Sequence, residues 1–197
     1  MRAGIFGGSF NPPHSGHKKL ALEITGRLSL DFMLIVPTFI PPHKSADMLA
    51  SSPDRLRMCE LCFNEDFFKV SDMEIKREGK SYTVETLRSL REIYPDDELF
   101  FVMGSDMLLS FHSWYCPDEI LSLSNIVCAA RHGGETQELK NYIEEYFPDK
   151  TEKFTVIDFE PVDVSSTQIR NEIASSSFSE NLSEDVLDYI KKRGLYV

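Results

Sequence analysis

The sequence predicts an α/β protein, a doubly wound parallel sheet with a small C-terminal helical appendage. Short apolar runs alternate with amphipathic stretches along most of the chain, which is the signature of parallel strands joined by covering helices. The 197 residues suffice for a single domain, 1–197, to bury a continuous core. Strands are expected at residues 2–6, 32–36, 68–70, 99–103, 126–130 and 154–158, each a short apolar run bounded by polar or turn residues. Helices are expected between them at 16–28, 53–64, 84–93, 118–123 and 138–146. The second helix has a defined start, with Ser52 as cap and Pro53 at the first helical position. Two more helical patterns, 166–174 and 184–192, form the appendage; the last carries cations in its final turn and Gly194 after it. Irregular segments at 38–51, 77–81, 110–117 and 131–136 fall between these elements, where α/β proteins place ligands. The Ser-rich stretch 175–183 reads as a surface connector.

Charge narrows the partners. With 21 Lys and Arg against 32 Asp and Glu the formal net charge is −11, which disfavours nucleic acid and anionic membrane as partners. An anionic ligand therefore needs a local cationic site. No apolar run approaches the roughly 18 residues of a membrane helix, and the first residues lack a secretory pattern, so a cytoplasmic location is expected. Cys59, Cys62, Cys116 and Cys128 are too few and too unevenly placed for a disulfide scaffold. Cys59 and Cys62 have the spacing of half a zinc knuckle, but the helical pattern around them favours buried core thiols.

Three segments carry chemistry. The first is Gly7-Gly8-Ser9-Phe10-Asn11-Pro12-Pro13-His14-Ser15-Gly16-His17, between the first strand and a helix. Paired glycines let backbone N–H groups approach an anion, and the following helix offers its positive end. His14 and His17 are three apart and lie within reach of each other. By spacing alone they suit a metal, satisfied structural histidines or phosphate donors; the adjacent glycines favour phosphates. The second is Pro41-Pro42-His43-Lys44 after the second strand, where prolines stiffen the approach to a cation, although a solvated surface turn has the same composition. The third is Ser165-Ser166-Thr167-Gln168-Ile169-Arg170, hydroxyls opening a helix. Arg170 near a helix start opposes the macrodipole unless an anion intervenes.

The first and third segments together resemble the two signatures of the adenylyltransferase superfamily that carries a His-x-Gly-His motif. Further matches are Pro41-Pro42-His43-Lys44, Ser81-Tyr82-Thr83-Val84-Glu85-Thr86, Gly104-Ser105-Asp106, Trp114-Tyr115, Arg131 and Val186-Leu187-Asp188-Tyr189-Ile190. They make the chain most similar to the bacterial nicotinate-mononucleotide adenylyltransferase family. The resemblance spans nearly the whole chain, apart from 133–153.

That resemblance implies a Rossmann-like fold and direct attack of the mononucleotide phosphate on the α-phosphorus of ATP, releasing pyrophosphate. A phosphate monoester is largely dianionic at neutral pH and needs no general base. It further implies that His14, His17, Lys44 and Arg170 are catalytic, with Ser166 and Thr167 holding the outer phosphates. Gly7, Gly8, Ser9 and Phe10 would line the nucleotide, and Asp106 would face a ribose or a cation. Thr83, Trp114, Tyr115 and Arg131 would bind the mononucleotide: Trp114, the single tryptophan, stacking on the pyridine ring, and the backbone amides of Thr83 and Tyr115 receiving its carboxylate. A lone tryptophan is otherwise a core or hinge aromatic. Mg²⁺ would arrive with ATP, with no dedicated protein ligands. Nucleic acid and membrane are not implied partners, and a homo-oligomer is compatible with the resemblance. The related phosphopantetheine adenylyltransferases share the two end motifs but not the Pro-Pro-His-Lys loop or the Trp-Tyr pair. A non-catalytic nucleotide sensor would keep the fold, but all the phosphate-facing positions are present and nothing in the residues speaks for a decayed active site; a general scaffold leaves the concentration of His14, His17, Lys44 and Arg170 without a purpose.

Overall fold

The computed structural model describes residues 1–41, 49–130, 135–175 and 180–197. Its elements follow in the order β1 (Arg2–Gly8), α1 (Ser15–Arg27), β2 (Phe32–Pro37), α2 (Ser52–Cys62), β3 (Phe68–Val70), α3 (Met73–Arg77), α4 (Thr83–Ile93), β4 (Glu98–Gly104), α5 (Ser105–Leu108), α6 (Pro117–Leu123), β5 (Asn125–Ala130), α7 (Glu135–Tyr146), β6 (Phe154–Asp158), α8 (Ser166–Ala174) and α9 (Glu184–Arg193). All six expected strands are present. They form one sheet in the order β3-β2-β1-β4-β5-β6, every neighbouring pair parallel.

Parallel strands covered on both faces lose the polar-apolar alternation of half-exposed strands. All six residues of β2 are accordingly buried, as are Leu99 to Met103 of β4. One face packs Val84, Leu87 and Leu90 of α4, Ile120 and Leu121 of α6, and Leu139 and Ile143 of α7 against Ile5, Leu34 and Phe101. The other packs Ala21 and Ile24 of α1, Met58, Cys59 and Cys62 of α2, and Val186 and Ile190 of α9 against Phe6, Ile35 and Val102. The helices after β1 and β2 therefore cover one face and those after β4 and β5 the other. The chain reverses its winding between β1 and β4, and the carboxyl ends of these two strands form the crevice where such sheets bind ligands.

The structure adjusts the expected elements in four places. Ser51, not Ser52, caps α2: its hydroxyl accepts from the Asp54 N–H at 3.2 Å, and Ser52 is the first helical residue. The segments at 71–81 and 104–113 contain α3, α5 and a 3-10 turn at Phe111–Ser113, each too short to imprint a helical period. Asn181, in the stretch read as a connector, holds the start of α1, accepting from the Ser15 N–H at 2.9 Å and its hydroxyl at 3.0 Å. The last helix is also more than an appendage. It enters the core beside α2, and Asp54 accepts from Tyr189 Oη at 2.8 Å and from Arg193 Nε at 3.0 Å. Gly194 ends α9 at φ +60°, the left-handed cap a glycine adopts freely. Among the described residues, no helix is long and apolar enough to cross a membrane.

Gly4 in the middle of β1 is a packing position. A Cβ there would lie 2.6 Å from Met33 Sδ and 2.7 Å from Leu30 Cδ1. Gly4→Ala is expected to destabilise the fold by about 1–3 kcal/mol as these side chains are pushed from their rotamers, read as a lowered urea midpoint with an unchanged m-value.

Candidate active site

A cavity of about 1230 Å³ opens where β1 and β4 end, lined on one side by Ser9, Asn11, His14 and His17 and on the other by Ser165, Ser166, Thr167 and Arg170. Gly104 at the tip of β4 and the segment 159–164 complete it. The first and third sequence segments, some 150 positions apart, thus face each other.

The loop after β1 is shaped by Phe10. It is fully buried and sits at φ +46°, a left-handed conformation that a bulky residue adopts only under surrounding constraint. The ring packs edge-on against Phe6, His17 and Phe63, with centroids 5.1 to 5.8 Å apart. A Cβ on Gly8 would approach that ring to 3.1 Å, so glycine is what lets Phe10 fold back on its own strand. Gly7 faces the opposite layer, where a Cβ would meet Phe101 at an ordinary 3.8 Å. Gly7, Gly8 and Phe10 are therefore at and beneath the mouth of the cavity rather than in its lining, whereas Ser9 is in it.

His14 and His17 form a stacked pair, centroids 3.7 Å apart and tilted by 34°. His14 caps α1 by position, and its backbone N–H donates to Nδ1 of His17 at 3.2 Å, the third residue of the helix reaching back to the cap. With Nδ1 accepting, the ring proton of His17 resides on Nε2. His14 is buried, its Nδ1 has no hydrogen-bond partner, and burial lowers its pKa to about 4. At neutral pH it is an uncharged imidazole.

Across the cavity, Ser165 caps α8 by accepting from the Gln168 N–H at 3.1 Å. Ser166 Oγ donates to the Pro12 carbonyl at 2.9 Å, and Arg170 donates from Nη1 to the Asn11 carbonyl at 2.9 Å and from Nη2 to Thr167 Oγ1 at 3.1 Å. The Arg170 Nε is buried without a partner. These bonds lock α8 onto the loop after β1. The wall at 159–164 is tied to α1 by Lys19, whose Nζ donates to the Glu160 carbonyl at 2.7 Å and lies over the Phe159 ring.

Thr83, Trp114 and Tyr115 gather on the opposite face of the sheet. Thr83 opens α4, and the ring of the preceding Tyr82 lies 5.0 Å from that of Tyr115. Trp114 is half-buried against Phe111 and Phe101, so it is anchored in the core as well as turned toward this face. Phe101 links the two groups, touching Trp114 on one side and facing Gly7 on the other. Asp106 is exposed in the first turn of α5, two residues beyond Gly104. Lys44 and Arg131 lie outside the described residues.

Sequence reasoning missed two residues that organise this site. Arg55 of α2, 1% exposed, donates from Nη1 to the Ser9 carbonyl at 2.9 Å, from Nη2 to Phe39 at 3.1 Å and from Nε to Ala50 at 3.1 Å. Asn11 is buried beneath the cavity, its Oδ1 accepting from the Ala50 N–H at 2.9 Å and from Tyr196 Oη at 2.7 Å. Asn11 falls inside the first chemistry-bearing segment and Arg55 inside a helix pattern, but nothing local marks the role of either, because their partners lie up to 185 positions away.

The cytidylyltransferase-like family model matches residues 5–172. The chain belongs to that family. A Shewanella sp. (strain MR-4) protein named probable nicotinate-nucleotide adenylyltransferase is 39% identical, the match covering 100% of this chain and 99% of the relative. A Desulfitobacterium hafniense (strain Y51) protein of the same name is 36% identical over 99% of this chain and 95% of its own. The fold matches a solved Plasmodium falciparum nicotinic acid mononucleotide adenylyltransferase complexed with NaAD, with TM-score 0.79 and 19% identity over 99% of this chain and 97% of that one. The family's fold is thus the one this chain adopts.

The depressed pKa of His14 gives stability a pH signature. The folded state resists protonating His14 until about pH 4, whereas the unfolded chain takes up that proton near 6.5. Stability is therefore full above pH 6.5 and falls as pH drops from 6.5 toward 4, by about 3 kcal/mol over the window. His14→Asn is expected to lack that increment in denaturant titrations across this range, so its stability difference from the unsubstituted protein shrinks as pH falls.

Proposed function

We propose that this protein joins ATP and nicotinate mononucleotide to give nicotinate adenine dinucleotide and pyrophosphate. The observation that carries the reading is the pairing of two uncommonly arranged donor sets at the β1/β4 crevice: the His14–His17 stack, and Ser166, Thr167 and Arg170 at the start of α8. Names of relatives covering the whole chain support the substrate pair.

A phosphate oxygen of the mononucleotide attacks the α-phosphorus of ATP, the bond from that phosphorus to the bridging oxygen breaks, and pyrophosphate leaves with the electron pair. The attacking monoester already carries its charge, so the residues have to align the reactants and stabilise the phosphoryl oxygens and leaving group. His17 donates from Nε2, the protonated nitrogen opposite the cap bond to Nδ1, toward the α-phosphoryl oxygens. His14 is a neutral donor beside it. Arg170 and Lys44 neutralise the leaving pyrophosphate, and Ser166, Thr167 and the first N–H groups of α8 hold the outer phosphates. Ser9 follows the nucleotide along the cavity, and Asp106 takes a ribose hydroxyl. Trp114, Thr83 and Tyr115 bind the mononucleotide on the other face, Trp114 stacking on the pyridine ring, and Arg131 contributes to the same binding.

Mg²⁺ bound to ATP supplies charge neutralisation of the phosphate oxygens. Glu160 and Asp163 line the cavity, carboxylates suited to the waters of a hydrated ion carried by the nucleotide. A cytoplasmic location belongs to this reading, and the four cysteines, free in this structure, are compatible with a reducing compartment.

The experiment is pyrophosphate release from Mg–ATP with nicotinate mononucleotide, nicotinamide mononucleotide or phosphopantetheine. Release with the first that far exceeds the other two is expected; release with phosphopantetheine alone, or with none of the three, would overturn the assignment. His17→Ala should lower kcat by about 10²–10³, the loss typical of one preorganised donor, and cost about 1 kcal/mol of stability, because the cap of the His14 N–H goes with it. Near-normal turnover would remove His17 from the mechanism. Trp114→Ala should raise KM for the mononucleotide by about 3–10-fold, the worth of one aromatic contact, and leave KM for ATP unchanged. Equal rises in both would return Trp114 to the scaffold.

A further inference from the structure

Beyond α9 the chain turns at Gly194 and runs back toward the loop after β1. Tyr196 is held at φ +67°, a left-handed conformation that costs an aromatic residue energy and persists only where surrounding contacts dictate it. Its ring packs against the core on the α1, α2 and α9 face, and its hydroxyl donates to Asn11 Oδ1 at 2.7 Å. Burial pushes the pKa of that hydroxyl up, so it remains a donor throughout the physiological range. The acceptor is a residue of the cavity. Asn11 is 3% exposed, its side chain also accepts from the Ala50 N–H, and its carbonyl receives Arg170 at 2.9 Å. One side chain thus fixes a residue that lies three positions before His14 and is bonded directly to the guanidinium on the far side of the cavity.

We infer that Tyr196 is a positioning residue of the nucleotide site, acting through Asn11 on the placement of Arg170 and of the loop that leads to His14. It touches no reacting atom. The consequence lies on the ATP side alone, because the mononucleotide group at Thr83, Trp114 and Tyr115 is on the opposite face of the sheet. Transfer between two phosphates depends on alignment, and a displacement of donors well below the size of an atom is enough to lower the rate.

The kinetic test rests on the adenylyltransferase reading and has an internal control. Tyr189 sits in α9, the helix that precedes Tyr196, and donates a hydroxyl bond of similar length, 2.8 Å, to Asp54 of α2, with no cavity residue at its end. Tyr196→Phe and Tyr189→Phe remove the same atom and keep the ring, so both should lower the melting temperature modestly. Tyr196→Phe is expected to lower kcat about tenfold and raise KM for ATP, with KM for nicotinate mononucleotide unchanged; Tyr189→Phe should match the unsubstituted protein in all three. Calorimetric titration with Mg–ATP alone should find weaker binding in Tyr196→Phe and normal binding in Tyr189→Phe. Unaltered kinetics and Mg–ATP affinity in Tyr196→Phe, or equal losses in both variants, would overturn the inference. If the unsubstituted protein releases no pyrophosphate but Mg–ATP affinity falls in Tyr196→Phe alone, the positioning role stands and the reaction assignment falls.

Discussion

The guanidinium of Arg55 is the interaction on which the rest of the site depends. A buried cation is tolerated when its donors are satisfied, and here they are satisfied by the carbonyls of Ser9, Phe39 and Ala50. Ser9 belongs to the loop after β1; Phe39 and Ala50 flank the segment that carries Lys44. One side chain from α2 therefore fixes the base of both loops, and burial lowers its pKa. Removing it would leave three inward-facing carbonyls without partners, which is why a charge is found where an aliphatic residue would otherwise pack.

Around that anchor, the site is assembled by short polar ties between distant elements. Phe39 is held a second time by Ser81, whose hydroxyl accepts its N–H and whose own N–H donates to Ile40. Glu74, buried beside them, accepts from Thr86 Oγ1, and burial raises its pKa. The loop after β1 is secured from α2 through Arg55, from α8 through Ser166 and Arg170, and from the segment after α9 through Tyr196. Donors fixed in advance of ligand binding need little reorganisation during phosphoryl transfer.

The sheet and much of the cavity were legible in the sequence, for definite reasons. Buried parallel strands write themselves as apolar runs, so 32–36 and 99–103 could hardly be read otherwise. His14 and His17 were legible as a pair because three residues at a helix start bring side chains together, and Ser165 because hydroxyl caps are local chemistry. Arg55, Asn11, Tyr196 and Asn181 were silent. An arginine inside a helix pattern normally reads as solvated, and the bonds that give these residues their roles join positions 46, 185 and 166 apart. The cap bond from His14 to His17 was equally hidden: structural histidine and donor are compatible in one residue, since Nδ1 serves the helix while the ring proton sits on Nε2.

The alternation at the end of β1 has a further meaning. Gly7 looks toward Phe101 and the tryptophan side, Gly8 toward Phe10 and the histidine side. A single strand thus acts as a thin septum between the two faces of the sheet, with the pleat assigning each successive residue to one of them. Ligands held on the two faces would be screened from each other along the body of the sheet and would come into line of sight only past its rim. For the proposed chemistry that partition keeps two negatively charged reactants apart until they meet end to end, so the direction of approach is set by the backbone itself before any side chain acts.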